Sequence, residues 1–265
     1  MINLDNVRLQ FNNFLRQYDN KSEPGFKLKV THTLNVVNNS RLLATNMNLS
    51  EEDIDLAQLI AYLHNIGRFE ELVKFKGFES VKNDHALYAS KILFEGNLIR
   101  EFINDNQYDN IIMKAIENHN KLSIESKLND RELLHAKILR DSDKLDNFRV
   151  KIEEPIESLF PGKINKIEEL NNSLISENVY NSIINNECVN IQDRVYPLDY
   201  LICILGFIFD INFKETFAII KEKNYTDKLI DRFNYTNIET IKRIGSIRKI
   251  INEYVENRIK GENYE

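Results

Sequence analysis

An all-α fold is predicted by three features of this 265-residue chain. Apolar residues recur at intervals of three and four rather than two, only 8 glycines and 4 prolines punctuate them, and good helix starts stand ahead of the periodic runs. The pattern places helices at roughly 3–18, 27–47, 51–64, 84–95, 108–120 and 130–147, then at 166–175, 178–185, 198–210, 213–222, 226–232 and 236–260.

Within the first set, 27–47 carries Leu28, His32, Val36 and Leu43 on one inward face. The helix at 51–64 begins after Ser50, whose hydroxyl can cap free backbone N–H groups, and Glu51, Glu52 and Asp53 suit the positive end of the dipole. His64 closes this helix, and Asn65-Ile-Gly67 follows, where the glycine is expected to let the chain turn sharply. Asp84 can cap the helix that starts with His85. In 108–120, His119 falls within the apolar arc of Ala115 and Ile116. His135 lies in the helical run Leu133 to Leu139 and reads as a structural residue.

Glu153-Glu-Pro-Ile-Glu-Ser-Leu-Phe-Pro-Gly162 holds two of the four prolines and separates the histidine-bearing part from a part with no histidine. It is the best linker, giving a domain over 1–150 and a helical extension over 151–265 expected to pack on it. The later helices carry Tyr196, Tyr200, Phe207 and Phe209, which read as core or as an interaction face.

Charged residues at 29% and apolar ones at 42% suit a soluble globular protein. The longest apolar stretch, Tyr200 to Phe209, falls short of the roughly 20 residues a bilayer requires, so no membrane partner is expected. The first residues lack the pattern of a secretory signal, which points to a cytoplasmic address. With a net charge of −6 and dispersed Lys and Arg, long DNA or RNA is not an expected partner. Cys188 and Cys203 have no metal-binding spacing and read as ordinary thiols.

Chemistry enters with the order of four histidines, His32, His64, His85 and His119, ahead of Asp141-Ser-Asp-Lys-Leu-Asp146. One histidine on an apolar face is ordinarily a hydrogen-bonded core residue. Four of them followed by a carboxylate suit Mn, Fe, Zn and related ions, and two such ions can clamp a phosphoryl group and activate water at neutral pH.

At these residues the chain resembles the HD superfamily of metal-dependent phosphohydrolases, whose signature is an isolated His, a His-Asp doublet and a distant Asp on an α-helical bundle. His32, His64-Asn65-Ile-Gly-Arg68 and Asp141 to Asp146 stand in those places, over about residues 26–147. The resemblance implies an HD-domain bundle with additional C-terminal helices. It implies two divalent transition metal ions, Mn or Fe ahead of Zn, Mg, Ni or Co. His32, His64, Asp143 and the group at position 65 would hold one ion; His85, His119 and the same bridging group would hold the other.

The departure is Asn65, where the family has Asp. A carboxylate offers an anionic oxygen to each of two metals; an amide has one usable oxygen, no charge, and an NH2 group that repels a cation. Since Asp and Asn are nearly alike in shape and every other ligand is present, the favoured reading is an inactivating replacement in an enzyme. A natural chain that has lost catalysis and keeps its pocket is the other.

Arg68 can grip a phosphate with two prongs and Lys144 can supply a point charge, so both are expected to bind substrate and, with position 65, to serve catalysis. Glu70 or Glu71 could accept a proton or order the attacking water, or simply form an acidic face; Asn118 and Asn120 flank His119 and could fix ligand orientation or touch the substrate, though neither is assigned a role. The expected activity is hydrolysis of a nucleotide or other small phosphate ester: a phosphomonoester, cyclic phosphodiester or pyrophosphate. An inactive nucleotide-binding protein is the alternative, with a di-iron oxygenase behind it. The C-terminal helices could shape the pocket or form a homodimer contact.

Overall fold

Helices account for the regular structure, and no strand occurs among the described residues. The computed structural model describes residues 2–18, 24–75, 84–159, 164 and 166–261, and the chain divides into two compact units, Met1–Asp146 and Asn147–Glu265.

The first unit contains α1 (Leu4–Arg16), α2 (Pro24–Asn46), α3 (Glu51–Leu63), α4 (Ile66–Phe75), α5 (His85–Ser90), α6 (Ile99–Phe102) and α7 (Asp109–Asn118). Helix α8 (Asp130–Glu153) begins in this unit, and the division falls within it. Side-chain caps start several helices. Asn3 accepts from the Asn6 N–H at 3.0 Å, Ser50 from the Asp53 N–H at 3.1 Å, and Asp84 from the Ala86 N–H at 2.9 Å. Each meets a donor that the first helical turn otherwise leaves unpaired.

Helices α2 and α3 pack along each other, and α1 lies against α3. Between them sits an aromatic core in which Phe11 meets Tyr62 with ring centroids 5.3 Å apart and Phe26 meets Phe69 at the same separation. Phe11, Phe26 and Phe69 are buried, as are Leu56, Leu59, Ile60 and Leu63 on α3. This core holds α2 and the end of α3 rigid, and both carry site histidines.

Two sequence expectations change here. Helix α4 starts directly after the turn at His64 and Asn65, and Gly67 lies inside it; the glycine with positive φ among the described residues is Gly261. Gly67 serves close approach instead of a sharp turn. A Cβ there would lie 2.7 Å from the His85 carbonyl oxygen and 2.9 Å from the Ala89 nitrogen, so the missing side chain admits the α5 backbone. The helix expected at 84–95 is α5 followed by a π-helical turn, Lys91–Glu95.

The second unit contains α9 (Ile156–Leu159), α10 (Ile167–Asn171), α11 (Glu177–Ile184), α12 (Pro197–Leu205), α13 (Lys214–Lys223), α14 (Tyr225–Ile230) and α15 (Ile238–Lys260). Part of the expected linker is therefore helical, at Ile156–Leu159, while residues 160–162 lie outside the described residues. The helix expected at 198–210 gives way to a 3₁₀ stretch at Gly206–Asp210. Leu198, Leu201, Leu205, Phe217, Ile247 and Ile251 are buried in this unit, and Tyr254 packs edge-on to Phe209 with centroids 5.0 Å apart. Asn237 caps α15 through the Thr240 N–H at 3.1 Å, and Gly261 ends it with φ 82.

Candidate metal centre

Helix ends have unpaired carbonyls, and two site histidines are built on that fact. His64 follows the last residue of α3, and its Nδ1–H donates to the Ala61 carbonyl at 2.6 Å. His119 follows the last residue of α7, and its Nδ1–H donates to the Ile116 carbonyl at 2.6 Å. Both bonds satisfy a helix terminus and commit Nδ1. They fix the tautomer in which Nε2 carries the free lone pair, the form a metal requires.

His32 lies within α2, and its Nδ1 is 2.6 Å from Asp146 Oδ2 on α8. Asp143, one turn earlier on α8, places Oδ1 3.0 Å from His32 Nε2 and 3.7 Å from His64 Nε2. One ligand atom each from His32, His64 and Asp143 falls within 4.8 Å of the others, two of the three residues being buried. These are two imidazoles and a carboxylate, with Asp146 orienting one ring from behind.

His85 and His119 meet beside this trio, their Nε2 atoms 3.1 Å apart, and the His119 and His64 ring centroids are 5.4 Å apart. The donors form a consistent neutral chain. The Asn120 amide faces His85 Nδ1 at 3.5 Å, His85 Nε2–H donates to His119 Nε2, and His119 Nδ1–H donates to Ile116. Among the described residues, no carboxylate joins this pair in a ligand cluster. Asn65 turns the other way, and its Nδ2 donates to His64 Nε2 at 2.7 Å. The amide thus occupies the lone pair that a metal at His64 would use.

Electrostatics divides the set. Burial lowers the His64 pKa and, followed by neighbouring positive charge, drives His85 far below its ordinary value; His119 falls to about 4, chiefly through burial. All three stay neutral, as ligands must. Burial works against charge on His32 as well, yet the hydrogen bonds to Asp143 and Asp146 outweigh it and the net shift is upward. Burial would raise Asp143, but the hydrogen bond from His32 holds it well below the usual carboxylate range. A preformed anion beside His64 and His119, both neutral and with Nδ1 committed, fits a divalent ion in chemistry, while His32 must give up the Nε2 proton that it shares with Asp143 in order to bind one.

Around the set, Arg68 donates to Glu71 at 2.8 Å, and its charge acts on both His85 and His119. Glu71 is buried and pairs with Arg68, while Glu70 accepts from the Tyr18 hydroxyl at 2.6 Å, so each carboxylate already holds a neighbour in place. Lys144 is buried on α8, about 100° round the helix from Asp143. Asn118 closes the loop after α7, donating to the Lys114 carbonyl at 2.9 Å and accepting from the Glu125 N–H at 3.0 Å. His135 stands elsewhere, with Nε2 3.0 Å from Asp53 Oδ1.

Two contributors escaped the sequence reading. Asp146 supports His32, and its signal was the three-residue spacing from Asp143 that puts both on one helix face. Lys29 precedes His32 by the same spacing, and burial followed by the charge of Arg68 lowers its pKa to about 8; Asp143, Asp146 and Glu71 act on it in the opposite sense.

A helical unit that gathers four histidines and an aspartate from five of its helices and their ends has the arrangement of a metal-dependent hydrolase. Residues 30–147 match the model of the HD domain family, a span that takes in every site histidine and Asp143, and this match supports membership of the HD superfamily. The family is one of metal-dependent phosphohydrolases, and its domains bind divalent metals. No curated protein and no solved structure matches the chain. No helix among the described residues is long and apolar enough to cross a membrane.

Proposed function

We propose that the chain is built to hydrolyse a nucleotide or another small phosphate ester, with Asn65 suppressing turnover. The observation that carries this reading is the meeting of His32, His64 and Asp143, with His85 and His119 alongside, in an HD domain. His32, His64 and Asp143 would hold one divalent ion and His85 and His119 a second, with Mn or Fe favoured. When bound, such ions supply Lewis acidity toward a phosphoryl oxygen and lower the pKa of water.

The chain's own residues would do the rest. Arg68, held by Glu71, presents a guanidinium to the non-bridging oxygens of a phosphate, and Lys29 adds charge from the neighbouring helix. Lys144 is proposed as a further cation for the substrate. Asp146 keeps the His32 ring in one orientation. Position 65 is where a carboxylate would serve both ions, and the amide instead donates to His64.

A second reading, a nucleotide-binding protein without turnover, is favoured by that same amide contact. The two separate when product release is measured over a panel of nucleotides, cyclic dinucleotides and dinucleoside polyphosphates with Mn2+ or Fe2+. This chain is compared with Asn65→Asp. Turnover by the Asp form alone supports a hydrolase disabled at its bridge. Metal binding by both forms with turnover by neither overturns it in favour of the binding protein.

A further inference from the structure

The bulkiest fully buried side chain among the described residues of the first unit belongs to Arg140, a charged residue outside the ligand set. It lies on α8 one turn before Asp143. Its guanidinium donates to the Asn118 carbonyl at 2.7 Å, the Lys121 carbonyl at 2.7 Å and the Leu122 carbonyl at 3.4 Å. A guanidinium removed from water this far demands such partners, because a buried charge without them is strongly disfavoured. The Asn118 carbonyl is one of those left over where α7 ends, the other two lie in the loop that follows, and a cation there also complements the helix dipole.

The Asn118 carbonyl belongs to the peptide unit that leads directly into His119. Fixing that oxygen fixes the peptide plane from which the His119 ring departs. Because the guanidinium stands one turn from Asp143 on the same helix, a single side chain ties the His119 backbone to the helix that bears the carboxylate. The Nδ1 bond to Ile116 sets the rotation of the ring, and it leaves the distance between α7 and α8 open.

We infer that Arg140 is a positioning residue for the metal centre, one whose clamp on the end of α7 sets His119 at a working distance from Asp143. The inference rests on the metal-site reading above. A Lys at this position keeps the charge and loses the planar fork, so it cannot bridge the same carbonyls.

The test is a titration of the full chain with Zn2+, following the imidazole 15N signals of His64 and His119, in the unaltered protein and in Arg140→Lys. It is repeated with Asn65→Asp in both. Affinity read at His119 is expected to fall by about tenfold or more, the usual cost of losing an outer partner, while affinity read at His64 is unchanged. Equal weakening at both histidines, or none at either, overturns the clamp and leaves the metal site standing. If neither histidine of the unaltered chain responds to Zn2+, the metal-site reading falls and the clamp falls with it. Should Arg140→Lys fail to fold, amide hydrogen exchange of residues 116–122 in the unaltered protein decides. Equal protection with and without Zn2+ supports a loop held by Arg140. A slowing of about tenfold or more on adding Zn2+ means that the ion orders the loop, which overturns the inference.

Discussion

The two halves of the histidine set share one device and differ in charge. Each contains a histidine at a helix end whose Nδ1–H closes the helix, His64 on Ala61 and His119 on Ile116. The first half adds Asp143 as an anion and Asp146 behind His32; the second pairs two neutral imidazoles, with no carboxylate in a ligand cluster with them among the described residues. On the proposed function, the first could balance a cation by itself, whereas the second would depend on a shared group at position 65. An amide in place of a carboxylate at position 65 would therefore bear harder on the His85 and His119 half, and an ion at the first half is expected to tolerate it.

Asp146→Asn probes that asymmetry with the largest expected effect. The amide oxygen can still accept from His32 Nδ1, but the charge that raises the basicity of the ring is gone. Affinity for an ion at His32, His64 and Asp143 should fall by about 10- to 100-fold, read in a Co2+ titration by absorption. Binding at His85 and His119 should stay as it was. A matching loss at the second half would show that the halves bind as one unit and break the comparison.

Acid should separate His32 from the other three site histidines in the metal-free protein. His64, His85 and His119 have folded pKa values below the ordinary value near 6.5, so the unfolded chain takes up protons first as the pH falls. Stability is at its full value above about pH 6.5 and declines below it, toward a folded pKa of about 4 for His119. The limiting slope is about 1.4 kcal/mol per pH unit for each histidine. His32 has the opposite sign. Its folded pKa is raised, so it contributes stability below its unfolded value that is lost as the pH climbs through the folded one. Denaturant melts with a chelator between pH 7.5 and 5 should show decreasing stability, and His119→Gln should flatten the slope while His32→Gln steepens it. A slope that His119→Gln leaves unchanged would remove the electrostatic half of the argument.

Most of this was legible in the sequence because it depends on local rules. The period of apolar residues set the long helices, and Ser50, Asp84 and the histidine order marked starts and site elements before any packing was known. The ends were less legible. Helix α4 was missed because the run after His64 combines a turn with a glycine, and nothing in a linear pattern says that Gly67 serves a neighbouring helix. Asp146 was visible as part of an acidic motif, but its choice of Nδ1 on His32 depends on the packing of α2 against α8. Arg140 reads as an ordinary helical arginine until the end of α7 is seen beneath it. What stayed hidden was which loose ends of one helix another helix would satisfy.

Gly67 gives the smallest and most local test of the halves' separate support. In an unconstrained helix, Gly to Ala gains about 1 kcal/mol from backbone entropy and propensity. Here the added methyl meets backbone atoms of α5 at 2.7 and 2.9 Å, and backbone cannot swing aside as a side chain would. Overpacking of this kind costs about 1–3 kcal/mol, so Gly67→Ala should leave the fold less stable by about 1 kcal/mol after the gain is subtracted. The strain falls first on the helix that starts at His85, whose backbone supplies the nearest atoms. Ion binding at His85 and His119 should therefore weaken while binding at His32, His64 and Asp143 holds, both read in the same Co2+ titration alongside a urea melt. A variant as stable as the parent, or one that weakens the first half instead, would mean that α4 and α5 do not position the second half, and its support would have to be sought at the end of α7 alone.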